Sequence, residues 1–185
     1  MGKAEEQRDL EQQKPIESKT IFEGKIINLQ IDYLHLEGQE KQIEIVRHPG
    51  AVVIIPEINN EIILVRQWRR VVDKIIYELP AGTLEEKEEP LTCAKREIQE
   101  EIGYKAGHMK LLGGLYSAPG YCTEYLYVYH ATNLQESSLQ EDLDEGMDNV
   151  QLSKQQIYSM IKSHEIEDAK TIAAFMMHQL EERGK

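Results

Sequence analysis

Apolar and polar side chains alternate through "TIFEGKIINLQIDYLHL" from Thr20 and "KQIEIVR" from Lys41. A period of two predicts strands, with "EGQEK" between them as a turn. "HPG" at 48–50 breaks the pattern. "AVVIIPE" and "EIILVRQ" then flank Asn59-Asn60, a pair that tolerates the positive φ of a tight hairpin. A short strand around "IIYELP" leads to Gly82. Beyond Pro90 the period lengthens: Leu91, Ala94, Ile98 and Ile102 make one helical stripe, and Gly103 stands at the C-cap position.

"KLLGGLYS" and "EYLYVYHA" read as strands, the second with Tyr125, Tyr127 and Tyr129 on one face and Leu126 and Val128 on the other. An acidic, irregular stretch, "QESSLQEDLDEGMD", follows. Ser153 and Gln156 form a capping box opening a short helix. A last helix, from about Asp168, is expected to bury Ile172, Phe175, Met176 and Leu180. Strands interrupted by helices, with hairpins between, predict an α/β domain of α+β character built on a mixed sheet.

The chain has 185 residues, suited to one main domain. Residues 1–14 are polar and predict a flexible tail, 15–47 a strand region, and 48–185 the main domain. A net charge of -12 argues against gripping nucleic acid or an anionic membrane. It also repels small phosphorylated ligands unless a cation is interposed. The two cysteines, Cys93 and Cys122, cannot build a disulfide framework, and a reduced, cytoplasmic setting is the simplest reading. The N-terminal segment has no apolar core of a signal peptide, and the apolar runs are far short of a membrane span. The six histidines show no metal-ligand spacing and read as surface or packing residues.

The stretch "REIQEEIG", Arg96 to Gly103, places three glutamates on one helix. At 100° per residue, Glu97 and Glu101 lie about 40° apart and Glu100 about 60° from Glu97 on the other side. Arg96, one turn before Glu100, can orient it. Periodicity alone leaves two readings open: a solvated charged face, or a site for a hard cation such as Mg²⁺ or Mn²⁺.

Context separates them. Gly82, five residues, Glu88, seven residues and then Arg96-Glu97-Ile98-Gln99-Glu100-Glu101-Ile102-Gly103 resembles the Nudix box, G-x5-E-x7-R-E-U-x-E-E-x-G-U. Every fixed position matches; the last U, an aliphatic position, holds Tyr104. The resemblance implies the Nudix fold, a mixed β-sheet sandwiched between helices with a small N-terminal antiparallel sheet. It implies a divalent-metal hydrolase of nucleoside diphosphates linked to another moiety. Glu97 and Glu101 would be the principal ligands of Mg²⁺, with Mn²⁺ as a substitute, and Glu100 a further ligand or supporting group. The Ala81 carbonyl would complete the shell, Arg96 would hold the glutamates, and Gly82 would permit the turn that brings the loop to the metal.

Outside the box, Pro119, sixteen residues after Gly103, resembles the ADP-ribose pyrophosphatase subfamily, as do "VRQWRR", "ELPAG", "DAKT" and "EGKI". That likeness implies hydrolysis of ADP-ribose to AMP and ribose 5-phosphate, and a homodimer formed through the strands of 15–47. Arg69 would contact phosphate or nucleotide, and Pro119 would line the substrate site. Glu145, with Glu141 and Asp144 as neighbours, would orient the attacking water. The alternatives are a hydrolase of nucleotide sugars (GDP-mannose, UDP- or ADP-glucose) and a non-catalytic Nudix binding module.

Overall fold

Asn59 and Asn60 both adopt left-handed backbone, with φ of 52° and 65°. They close the hairpin between β4 (Ala51–Ile58) and β5 (Glu61–Arg69), as their sequence predicts. The computed structural model describes residues 2–12, 16–36, 38–137 and 146–184. The chain folds as two compact units, Met1–Pro49 with Ala118–Glu124 and Gly50–Ser117 with Tyr125–Lys185.

The larger unit is built on a seven-stranded mixed sheet. It comprises β4, β5, β6 (Lys74–Glu78), β7 (Ala81–Thr83), β8 (Tyr104–Tyr116), β9 (Tyr125–Glu136) and β10 (Asp148–Ser153). Its path runs β10-β5-β4-β9-β8, with β6 on β5 and β7 on β4. β4 lies parallel to β9, matching Val53 with Val128, while the other pairs are antiparallel. The short strand expected around "IIYELP" is β6, and after Leu79-Pro80 the chain moves from β5 to β4 to form a further short strand, β7, at Gly82.

Both faces of this sheet are buried, so its central strands read as unbroken apolar runs. Val52, Ile54, Ile63 and Val65 point to one face, against Cys93, Ala94, Ile98 and Ile102 of α2 (Pro90–Ile102). Val53, Ile55, Ile62 and Leu64 point to the other. There they meet Ile157 of α3 (Lys154–Lys162) and Ala174 and Phe175 of α4 (Ala169–Arg183). Leu126 and Val128 of β9 join the α3–α4 face and Tyr127 and Tyr129 the α2 face, the predicted alternation. α2 ends on Gly103 at φ 72°, and the Ser153–Gln156 capping box opens α3.

The α2 stripe is buried as expected at Ala94, Ile98 and Ile102 and departs at one position, whereas the α4 stripe is rotated. In α2, Leu91 is exposed and Cys93 takes its place in the core. In α4, Met176 and Leu180 are exposed; the buried face is Thr171, Ala174, Phe175 and His178. Counting only apolar residues turns that face, because Thr171 and His178 are polar yet fully buried. The Thr171 hydroxyl accepts from the Leu79 N–H at 2.8 Å and donates to Asp168 at 2.6 Å, which satisfies it without water.

In the smaller unit, α1 (Lys3–Gln12) precedes a three-stranded antiparallel sheet. Its strands are β1 (Ile16–Glu23), β2 (Asn28–Leu36) and β3 (Gln39–Arg47). The run expected as one strand from Thr20 bends at Gly24–Ile27, where Gly24 N–H bonds the Ile27 carbonyl. The segment 118–124 adds to β3: Val46 N–H reaches the Tyr121 carbonyl at 2.7 Å and Thr123 N–H the Val46 carbonyl at 3.0 Å. No helix among the described residues is long and apolar enough to cross a membrane.

Thr171→Val keeps the shape but leaves the Leu79 N–H without an acceptor. We expect a loss of about 1–3 kcal/mol, read as a lower urea midpoint; an unchanged midpoint would show that the bond adds nothing.

Candidate active site at the glutamate helix

α2 buries an apolar stripe, and that burial fixes its rotation about its own axis. Glu97 therefore faces the sheet beside Ile98 and is itself buried. Its carboxyl lies over Gly82 of β7. A Cβ on Gly82 would stand 1.8 Å from the Glu97 carboxyl carbon, so only glycine leaves room for this approach. This corrects the expected role of Gly82. It pairs within the sheet opposite Val52 and has no left-handed φ, so closeness to Glu97 and not a turn demands glycine.

Arg96 organises the remaining box residues. Its Nε and Nη2 donate to the two oxygens of Glu88 at 3.1 and 3.0 Å, a bidentate clamp between the loop and the helix. Its Nη1 donates to Glu97 at 2.6 Å and to Glu100 at 2.8 Å. The hydrogen bonds from Arg96 hold the Glu88 carboxyl below the usual carboxylate range. Glu97 goes the other way: burial raises it against the pull of Arg96, and Glu100 and Glu88 add to the rise. Glu101 accepts from the Ala81 N–H at 3.0 Å, joining the end of the helix to β7. Cys93, facing the Gly82 and Thr83 carbonyls, is pushed up to about 12 by burial and by Glu88 and Glu97, so its thiol is inert.

Three carboxylates thus share one guanidinium, and a fourth, Glu101, follows on the same helix. Such a concentration of carboxylate oxygens is the donor set that suits a hard divalent cation. The structure brings together Ala81, Gly82, Glu88, Arg96, Glu97, Glu100 and Glu101, with Gly103 closing the helix.

Arg69 lies at the end of β5 in the same unit. Its Nε and Nη2 bind the buried Glu78 at 2.6 and 3.0 Å, and Lys170 reaches the same carboxylate. The bond to Glu78 raises the Arg69 pKa, opposed by burial, and the charges of Glu101 and Asp168 contribute. Arg69 therefore sits within the field of the box while anchored to Glu78. Pro119 belongs to the other unit, exposed in a turn where Tyr121 and Cys122 N–H both bond the Ala118 carbonyl. Glu145, Glu141 and Asp144 lie outside the described residues.

One grouping was missed by reading spacing. Glu57, His130 and His178 converge from β4, β9 and α4. Reading the six histidines as surface or packing residues does not bring this grouping out, since three elements distant in sequence supply one group each. The only signal was parity: His130 follows Leu126 and Val128 on the same face of β9.

The NUDIX domain profile matches residues 46–175. The chain is 39% identical over 178 residues to the methanol dehydrogenase activator of Bacillus methanolicus, covering 94% of this chain and 96% of that protein. It is 35% identical to the ADP-ribose pyrophosphatase of Bacillus subtilis, covering 92% and 95%. A solved structure of an ADP compounds hydrolase superposes with a TM-score of 0.81 at 20% identity, over 92% of this chain and 95% of that one. The chain belongs to the Nudix family. It is a Nudix pyrophosphohydrolase, with the family's mixed α/β fold, and enzymes of this family generally work with a divalent metal.

Gly82→Ala should fold, because the group it meets is the end of a flexible side chain, but Glu97 must swing away. The expected result is a marked rise in the divalent-metal concentration giving half-maximal turnover. An unchanged metal requirement would mean that Glu97 need not lie over Gly82.

Proposed function

We propose that the substrate is ADP-ribose, cleaved with Mg²⁺ into AMP and ribose 5-phosphate. The observation that carries this is likeness extending beyond the box: an ADP-ribose pyrophosphatase matches 92% of the chain at 35% identity. A second relative of that name, from Mycobacterium tuberculosis, is 39% identical over 65% of this chain and 60% of its own length.

In this reading Glu97, Glu101 and the Ala81 carbonyl hold the cation, with Glu100 beside them. A cation held there would supply the charge that neutralises the diphosphate and lowers the pKa of the attacking water. Arg96 fixes Glu97 and Glu100 so that the carboxylates need not reorganise when the diphosphate arrives. The bond from the Ala81 N–H aims Glu101 in the same way. Water attacks one phosphorus, the bridging P–O bond breaks, and each product leaves as a monophosphate. Glu145 orients and deprotonates that water. Arg69 offers its charge to the substrate phosphates from its anchorage on Glu78, and Pro119 shapes the substrate loop.

Residues 15–47 form the dimerisation region and 48–185 the Nudix domain, and the enzyme acts as a cytoplasmic homodimer. Support for the dimer comes from Ile21, Phe22, Ile26 and Ile27, apolar side chains left exposed around the β1–β2 turn. A second substrate class, the nucleotide sugars, is favoured by likeness to a GDP-mannose pyrophosphatase of Enterobacter sp. (strain 638), 29% identical over 76% of this chain and 82% of that protein.

The test is a product assay over ADP-ribose, GDP-mannose, UDP-glucose and ADP-glucose, with and without Mg²⁺. ADP-ribose should give the highest kcat/KM, only with Mg²⁺. Glu101→Gln should lower turnover by orders of magnitude, and Glu145→Gln should lower kcat far more than it raises KM. Preference for a nucleotide sugar would overturn the substrate assignment. Near-normal turnover in Glu101→Gln or Glu145→Gln would overturn the role of that residue.

A further inference from the structure

We propose that Glu57, His130 and His178 form a second metal site, for a borderline transition-metal ion of the zinc class. It lies on the face of the sheet opposite α2. Glu57 follows Val53 and Ile55 at alternate positions of β4, and His130 follows Leu126 and Val128 on β9; these apolar residues all pack on the α3–α4 face. His178 descends onto the same place from the buried face of α4.

The geometry is already close to that of a coordination shell. His130 Nε2 lies 2.8 Å from Glu57 Oε2, and His178 Nε2 lies 3.3 Å from the same oxygen. One ligand atom from each residue falls within 4.8 Å of the other two. Tetrahedral zinc with bonds of about 2.0–2.1 Å requires ligand atoms roughly 3.3 Å apart, so small side-chain rotations suffice. The two rings stand edge to face at a centroid distance of 4.4 Å.

The independent observation is His178 itself. It is 1% exposed, and its Nε2 is buried without a hydrogen-bond partner, although Glu57 is near. A buried ring nitrogen facing a carboxylate and a second imidazole, yet unbonded, is what a missing ion would leave.

The surroundings fit the assignment. Lys154 Nζ holds Glu57 Oε1 at 3.1 Å, leaving Oε2 to the histidines, and holds Glu182 Oε1 at 2.5 Å. Coordination through Nε2 puts the His178 proton on Nδ1. There the Gln179 side-chain amide lies 3.2 Å away and Glu182 Oε2 3.9 Å away. The Gln179 amide, which also donates to Glu182 Oε2 at 3.2 Å, then releases the ring, and a small rotation brings Glu182 in to accept that proton. Two imidazoles and one carboxylate favour zinc-like ions over Mg²⁺, which takes oxygen donors, so the two sites select different metals. An ion here would join β4, β9 and α4, a cross-link on the side of the sheet away from the glutamate helix.

The test uses the full-length protein, stripped by a chelator and then held in excess Mg²⁺ to occupy the carboxylate site. Co²⁺ is titrated while its visible d–d absorption is followed. We expect one equivalent of Co²⁺ with the intense bands of a four-coordinate site, retained in Glu101→Gln and lost in His130→Asn. His130→Asn should keep its Mg²⁺-dependent hydrolysis, which separates this site from the catalytic one. Because His178 is buried, His178→Gln is scored only if its circular dichroism matches wild type; the partly exposed His130 keeps the test decisive. Absence of Co²⁺ binding in excess Mg²⁺, or an undiminished equivalent in His130→Asn, would overturn the proposal.

Discussion

The guanidinium of Arg96 joins the loop that precedes α2 to the helix that carries the carboxylates, and the geometry of the candidate active site depends on that junction. It clamps Glu88 with two donors and steadies Glu97 and Glu100 with a third. Without it, buried and half-buried carboxylates would face one another, and the helix would be forced away from the sheet or its acids protonated. With it, the cluster stays folded while Glu88, Glu97 and Glu100 share one guanidinium. A fully neutralised cluster would have no need of a metal, whereas an unsupported one could not be held in place. Arg96 sets the balance between the two.

The apolar side of α2 performs the complementary task. Ile98 and Ile102 are locked into the face formed by Val52, Ile54, Ile63 and Val65, which sets the helix close enough for Glu97 to lie over Gly82. The opposite face of the sheet is held by α3 and α4 through a core that includes buried polar groups. Glu78 is one of them: burial alone would raise its pKa, but Arg69 and Lys170 hold it below the usual carboxylate range. Charged residues in this fold are thus positioned against the core as well as on its surface.

Much of this was legible in the sequence, for identifiable reasons. Asn59-Asn60, Gly103 and Ser153–Gln156 are local signals, each set by a backbone conformation or a cap that neighbouring residues complete, and each appears where the sequence puts it. The box was legible because its spacing encodes a loop and two turns of helix. Long-range placement was not. Nothing in the order of residues says that Arg69 and Lys170 meet on Glu78, or that Thr171 receives the Leu79 N–H. The rotated stripe of α4 has the same origin, since a polar residue enters a core only when a partner from elsewhere in the chain awaits it. Glu57, His130 and His178 show the limit most clearly, as their convergence is made by the sheet and not by any motif.

The central claim is that Glu97 and Glu101 await a divalent cation. It is tested most directly by titration calorimetry of Mg²⁺ into the protein bound to an ADP-ribose analogue whose bridging oxygen is a methylene. The account predicts saturable Mg²⁺ binding in the wild-type protein that is abolished in both Glu97→Gln and Glu101→Gln, while each variant keeps its fold by circular dichroism. Undiminished Mg²⁺ binding in the two variants would contradict it.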